Sequence, residues 1–503
     1  MESDRDTKQG RTRLREPTSK ASAISSKPWS VPLGDRERAD NTLRVTAPYD
    51  GELLAELELS NAAHVERCLD TAYRLFRNRD AWLPLPERIG ILERTARIML
   101  RERIPLAMTA TQEGGKPLLD SEFEVERAID CVRLCVEILR TESGSVIPMD
   151  GTRASAHRLG LTQREPVGVV VAVSAFNHPL NVVVRQAAAA VAAGCPVIVK
   201  PSPATPLSCL YLSRIFREAG LPAEWCQVVI TDQAGIAEAL VTDARVGFLS
   251  FVGSPAVGWK LRSRLSPGTR CTLQHGGAAP VILLEDADRK SALDSLVKGS
   301  FYHAGQDCVS VQRIFAPRTQ AQDFASDLAL SALALKLGDP KNSATDVGPL
   351  IRPAEAERVH TWVQEAIAGG AERLSGGAPI GRSLYEPTVL FDPPGDAKVS
   401  RLEIFGPVVC VYGYDSLEEA VIRANELPFA FQASVYTTDL DLALRVYRRI
   451  DASAVMVNDD PTFRIEGMPF AGLRQSGLGE GGVPQLISAM QIEKMLVLHS
   501  REL

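Results

Sequence analysis

Nine cysteines stand at positions 68, 131, 135, 195, 209, 226, 271, 308 and 410. A thiolate is both a strong nucleophile and, later, a good leaving group. Seven of the nine sit in apolar or helical contexts, where cysteine behaves as a small buried hydrophobe. Cys308 differs, because it closes the polar turn Gly305-Gln306-Asp307-Cys308 after a helical stretch, where a thiol can be exposed. On spacing alone, a loop thiol without a role is the alternative. The odd count and the lack of a CxxC pair give no disulfide framework and no zinc ligand set. No HExxH, GxSxG or calcium-loop pattern occurs, and seven scattered histidines suggest no metal site.

A second candidate is Gly253-Ser254-Pro-Ala-Val-Gly258-Trp259-Lys260. Trp259 separates Gly258 from Lys260 and no Ser or Thr follows, so this is not a nucleoside-triphosphate loop. It can still be a glycine turn opening a helix, whose first N–H groups attract phosphate.

Elements must position these groups. Asn61 is a candidate N-cap for a first helix, and further helices are expected at about 86–101 and 121–142. Residues 145–165 read as irregular or extended. From Val167 the pattern alternates: strands at 167–173, 196–199, 227–230 and 247–252, and helices at 181–193, 206–219 and 234–241. Such a βαβ series builds a parallel sheet with helices on both faces. Its ligands bind at the carboxyl ends of the strands, here marked by Asn177, Lys200 and Ser254. A second α/β series follows residue 280, with a helix at 290–305 leading to Cys308. Gln491–His499 reads as a last strand able to add to a partner's sheet.

The 503 residues are 45% hydrophobic and 23% charged with a net charge of −6, values of an ordinary globular chain. They leave no electrostatic footprint for nucleic acid or an anionic membrane. No uncharged apolar run approaches the roughly 18 residues a membrane span requires. Residues 1–43 are polar and charged and read as a disordered extension without a signal-peptide core, so a cytoplasmic location is expected.

The motifs taken together resemble the aldehyde dehydrogenase superfamily over residues 44–503, nearest to its semialdehyde and lactaldehyde members. The matching segments are Arg164-Glu-Pro-Val-Gly-Val-Val, Phe176-Asn177-His-Pro-Leu, Val199-Lys200-Pro-Ser-Pro-Ala-Thr-Pro, Phe251-Val-Gly253-Ser254, His275-Gly-Gly, Gly305-Gln-Asp-Cys308, Glu403-Ile-Phe405-Gly-Pro and Pro469-Phe-Ala-Gly-Leu-Arg-Gln-Ser-Gly477. The resemblance implies an α/β fold in three parts. A Rossmann-like, parallel-sheet NAD(P)-binding domain takes 44–144 and 166–273, with 458–482 returning to it. A catalytic domain takes 274–457. A β oligomerisation arm takes 145–165 and 483–503 and implies a homodimer or homotetramer. The implied reaction is oxidation of a small polar or anionic aldehyde to its acid with NAD or NADP. Cys308 is then the nucleophile, Asn177 the side-chain donor of the oxyanion hole, Lys200 and Ser202 the adenosine-side contacts, Gly253 and Ser254 the pyrophosphate turn, and Glu403 and Phe405 the nicotinamide-ribose contacts.

Three departures qualify that expectation. Gln274 stands where the family carries a Glu that activates the deacylating water, and an amide cannot take a proton near neutral pH. His275 next door is a rival base, although neighbours on a strand face opposite ways. Transfer of the acyl group to coenzyme A, or a catalytically silent homologue acting as a binding protein, are the alternatives. Lys200-Pro-Ser202-Pro203 lacks the acidic residue that disfavours the 2′-phosphate of NADP, so either cofactor is expected. Arg185, two helical turns past Asn177, falls at an offset where semialdehyde and lactaldehyde members hold a substrate's polar end. Its apolar neighbours mean that it needs a partner. Tyr302 occupies a position where some succinic semialdehyde members carry a second Arg, so no two-arginine clamp is expected.

Overall fold

The computed structural model describes residues 41–503. Two main sheets form the frame. The first has six strands in the order Gly477–Leu478, Arg270–Gln274, Val246–Val252, Val169–Val173, Val197–Lys200 and Cys226–Val228. All its pairs are parallel except the edge pair, in which Gly477 lies opposite Gln274. The continuous β-branched run Val169–Val171 is fully buried, as a strand covered on both faces requires. The second sheet has seven strands, ordered Glu372–Ser375, Thr388–Phe391, Val408–Tyr414, Val311–Pro317, Ala279–Leu283, Gln432–Tyr436 and Ala454–Val457. Each carries its own apolar core.

The expected alternation holds almost element for element, including the helix Asn181–Ala193, which ends at Gly194 in the left-handed region. Asn61 caps the first helix by accepting from the N–H of His64 at 2.9 Å. Ser254 is the N-cap of the helix Pro255–Arg262, so the glycine turn does open a helix. Seven cysteines are buried and two, Cys271 and Cys308, are partly exposed.

Several expectations need correction. The helix read over 290–305 is Arg289–Phe301, because His303, Ala304 and Gly305 adopt φ of 48°, 53° and 69° and cannot continue a right-handed helix. Helices Arg103–Gly114 and Leu440–Tyr447 were not legible. The hairpin Thr42–Thr46 with Leu53–Glu58 starts inside the stretch read as extension, and the rest of that stretch, 1–40, lies outside the described residues. The tail strand Gln491–His499, read as able to add to a partner's sheet, pairs along all nine residues with this chain's own Arg158–Pro166 and keeps its other edge open in that sheet. Among the described residues no helix is long and apolar enough to cross a membrane.

The left-handed triplet matters because it aims the turn carrying Cys308. Gly305 is the one glycine among the three, and a Cβ there would run into the carbonyl oxygen of Gly406. Gly305→Ala should lower the denaturant midpoint by an amount worth roughly 1–3 kcal/mol. It should also slow alkylation of Cys308 by a thiol reagent. Unchanged stability and thiol reactivity would refute the strain assigned to this turn.

Candidate active site

Two loops face each other at the carboxyl end of the first sheet. One follows Val169–Val173 and carries Phe176, Asn177 and His178; the other is the turn ending in Cys308. They are tied through the neighbours of the key residues, since His178 Nε2 lies 3.1 Å from Asp307 Oδ2. Phe176 meets Phe405 edge-on, ring centroids 5.7 Å apart. Asn177 is buried. The Cys308 thiol is pushed well above the usual cysteine range, first by burial and then by the Asp307 carboxylate. Val309, Phe431 and Phe470 pack beside Cys308 as a small apolar wall.

Gln274 ends the strand Arg270–Gln274, and its Oε1 accepts from Arg185 Nη2 at 2.7 Å. This is the partner that a buried Arg185 needed. His275 points the other way. Its Nδ1 lies 2.9 Å from the Gly253 carbonyl and its ring packs edge-on against Phe251, under Gly258 of the helix Pro255–Arg262. His275 therefore does not stand in for Gln274 beside the thiol.

Arg185 belongs to a charge cluster that sequence reasoning missed. Glu466 accepts from Arg127 Nε at 2.9 Å and from Asn181 Nδ2 at 3.1 Å, and Arg464 Nη2 is 3.4 Å from its other oxygen. Asn181 and Arg185 share a face of their helix at i and i+4. Arg464 lies over the Phe470 ring at 3.6 Å and Arg185 at 5.5 Å. Arg127 and Arg464 thus contact one carboxylate, whose charge also acts on Arg185. Burial pushes Arg464 down to about 9, the mark of a cation short of counter-charge. Position 302 alone had suggested no second arginine, but Arg127 and Arg464 arrive from distant segments. Tyr302 is instead stacked on His178, ring centroids 6.2 Å apart, and Arg127 also acts on it. The one sequence signal available was a pair of charges, Arg464 and Glu466, inside an otherwise turn-like stretch.

The remaining expected residues lie along a second rim. Lys200 ends its strand and donates to the Pro201 carbonyl at 3.1 Å; burial pushes it down to about 8, opposed by Asp232. Ser202 Oγ accepts from the N–H of Ala204. Ser254, after Gly253, opens the helix Pro255–Arg262 with no side-chain cap of its own. The Glu403 carboxyl is buried and pushed up to about 8, although the Gly277 N–H donates to it. Among the described residues its Oε1 has no partner, and it rests in space that a side chain at position 276 would fill. Phe405 holds φ of 49°.

This chain belongs to the aldehyde dehydrogenase family, whose sequence model matches residues 36–496. It is similar to the 3-sulfolactaldehyde dehydrogenase of Priestia megaterium, at 34% identity over 466 residues, covering 93% of this chain and 97% of that one. Among solved structures it is similar to aldehyde dehydrogenase 21 from Physcomitrella patens in complex with the reaction product succinate, with a TM-score of 0.89, 30% identity, and 94% and 99% of the two chains covered. It is also similar to a glyceraldehyde-3-phosphate dehydrogenase from Methanocaldococcus jannaschii complexed with NADP, with a TM-score of 0.87, 31% identity, and 92% and 100% covered. The chain is accordingly an NAD(P)-dependent aldehyde dehydrogenase that oxidises an aldehyde to its acid.

Glu466 holds this charge cluster together, so Glu466→Gln should cost about 3–5 kcal/mol in denaturant unfolding, as when one partner of a buried ion pair is removed. Burial alone would raise the Glu466 carboxyl, but Arg464, Arg127 and Arg185 outweigh it and hold the group well below the usual range. A depressed folded value means the contribution is complete above the unfolded glutamate pKa, about 4.3. It drains away as pH falls below that. Stability measured against pH should therefore fall more steeply on the acid side in the native chain than in the Gln variant; parallel acid limbs would contradict the cluster.

Proposed function

We propose that this chain oxidises a small aldehyde carrying an anionic group such as a carboxylate or sulfonate, through a thioester on Cys308 whose hydrolysis is the slow step. The observation that carries this reading is the Arg185–Gln274 pair. A neutral amide anchors the guanidinium at 2.7 Å and leaves its charge unspent, in a pocket whose one carboxylate, Glu466, is already contacted by Arg127 and Arg464. A glutamate at 274 would pair with Arg185 instead, which would both consume that charge and weaken the glutamate as a base. The sulfolactaldehyde and succinate named for the relatives are anions of this kind.

Asn177 and the backbone N–H of Cys308 serve as donors to the oxyanion formed when sulfur bonds to the aldehyde carbon. One such donor is typically worth about 10²–10³ in rate. The cofactor rim fits a dinucleotide: uncapped helix N–H groups at Ser254 for the pyrophosphate, Lys200 and Ser202 for the adenosine side, and Glu403 with its free oxygen for ribose hydroxyls, beside Phe405. When bound, the nicotinamide accepts the electron pair leaving the aldehyde carbon. No carboxylate occupies position 203, and Asp232 is the acidic group nearest in charge to Lys200, so NAD and NADP both remain acceptable. We assign the six-stranded half to the cofactor, the seven-stranded half to Cys308, and the arm at 145–165 and 483–503 to a homodimer or homotetramer. Exposed Met495–Leu498 on the free edge of the tail strand favours that last assignment.

The test is an aldehyde panel against both cofactors, read as the pre-steady-state NAD(P)H burst. Anionic aldehydes should give a stoichiometric burst followed by slow turnover, and turnover that rises only when coenzyme A is added would favour acyl transfer instead. Arg185→Leu should raise KM for an anionic aldehyde about 10–150-fold, the worth of a charge-assisted hydrogen bond of ~1.5–3 kcal/mol, and leave a neutral aldehyde unaffected. Gln274→Glu should raise turnover and also raise KM for the anionic substrate. Equal effects on charged and neutral aldehydes would sink the assignment, and NAD binding more than about a hundredfold tighter than NADP would sink the cofactor reading.

A further inference from the structure

Gln274 reaches Arg185 across a space that a glycine leaves open. The donor on Arg185 is Nη2, so the oxygen of the Gln274 amide faces it and the amide nitrogen faces elsewhere. Gly481 lies against that amide. The three atoms nearest to a Cβ placed on Gly481 are Nε2, Cδ and Oε1 of Gln274, and the Cβ would overlap Nε2 outright. Gly481 is buried and lies outside the left-handed region, so its backbone conformation does not itself call for glycine. What calls for glycine there is the Gln274 amide.

Both backbones at this contact are held in place. The Gly481 N–H donates to the Phe470 carbonyl at 2.7 Å. The next residue, Gly482, is the N-cap of the helix Val483–Ala489, whose Val483, Leu486 and Ile487 are buried. Gln274 is fixed in its strand by the Gly253 N–H, which donates to its carbonyl at 3.1 Å, and by its antiparallel partner Gly477. A side chain at 481 would therefore displace the flexible end of Gln274 rather than either backbone. That end has a task. Among the described residues the Nε of Arg185 has no partner, and Glu466 acts on Arg185 by charge while its hydrogen bonds go to Arg127, Asn181 and Arg464. Gln274 Oε1 is thus the acceptor that fixes the buried guanidinium beside the Phe470 ring, and Phe470 is the residue whose carbonyl holds Gly481.

We propose that Gly481 is a positioning residue for anion recognition: the side chain it lacks is the space in which the Gln274 amide turns onto Arg185. This rests on the reading that Arg185 meets the anionic end of the aldehyde. Gly481 touches no substrate and acts through Gln274 alone. A methyl group at 481 pushes the amide away, and Arg185 is left buried without the acceptor that aims it. The selectivity for charge is then set by a matched pair, glutamine at 274 and glycine at 481, rather than by either residue singly.

The experiment is a double-mutant cycle at 274 and 481 in the full-length chain, with succinate semialdehyde as the anionic probe and propanal as the neutral one. Gly481→Ala should raise the ratio of the anionic to the neutral KM about tenfold or more, the worth of one charge-assisted hydrogen bond, with the ratio of the two kcat values unchanged. Gln274→Ala alone should raise the KM ratio by a similar factor, and adding Gly481→Ala to it should raise the ratio no further. Denaturant unfolding is the second readout. Gly481→Ala should lower the midpoint of the native chain, yet leave or raise that of Gln274→Ala, since alanine narrows the unfolded ensemble. Equal midpoint shifts in the two backgrounds, or a KM ratio that Gly481→Ala raises equally in both, give position 481 a role apart from Gln274 and overturn the proposal. So does an unchanged KM ratio in Gly481→Ala when Arg185→Leu raises it. Should Arg185→Leu leave the ratio unchanged, the anion reading falls, and the unfolding cycle still decides whether Gly481 seats Gln274. Should Gly481→Ala fail to fold alone, recovery of folding in the double variant supports the proposal and failure in both overturns it.

Discussion

The pocket is organised around a buried guanidinium that has no carboxylate of its own. Arg185 sits on a helix with every residue buried, and a charge in such a place must be paired or hydrogen-bonded. The structure meets that demand with a side-chain amide from Gln274 and a shared view of Glu466, while Arg464 and Arg127 compete for the same carboxylate. The arrangement is costly in isolation and makes sense when an anion completes it. On the proposed reading, a single choice at 274, amide rather than carboxylate, leaves the cation available and at the same time leaves the water without a base there. On the proposed reading, one contact thus sets both the substrate's charge and the chemistry of release.

A second buried polar network lies behind the loop that carries Asn177. There Lys116 joins Glu124 at 2.6 Å and His178 at 2.8 Å, and His178 reaches Asp307 at 3.1 Å. Such networks are rigid when every member is satisfied. This one borrows its anchor from the backbone at Leu180 and Asn181, the start of the helix that presents Arg185. This network and the proposed substrate contact at Arg185 therefore share a structural origin in that helix.

The sequence made the frame legible because the frame is repetitive: β-branched runs, Ala-rich helices and turn residues obey local rules that need no knowledge of distant contacts. Motif order carried Cys308, Asn177 and Glu403 as far as candidates. The meeting of Arg127, Arg464 and Glu466 was not readable, since helix 118–141 and a loop more than 320 residues later have no local reason to be read together. His178 and Asp307 were in view inside the quoted motifs, but a side chain next to a known residue gains meaning only when its partner's direction is known. The break of the helix after Phe301 was hidden for another reason. His303 and Ala304 are ordinary helix residues, and their left-handed geometry is imposed by the packing of the turn rather than by their own preferences.

The pairing of Gln491–His499 with Arg158–Pro166 has a mechanical side. One strand of that pair runs within three residues into Val169–Val173, which delivers Asn177. The other follows the short helix Val483–Ala489, whose Val483, Leu486 and Ile487 lie in the same apolar core as Val183, Val184 and Ala187 around Arg185. The arm is therefore a lever with both ends seated behind the pocket. Its pairing and the packing of the helix bearing Arg185 thus share one apolar core, and its exposed edge is the outer end of that connection.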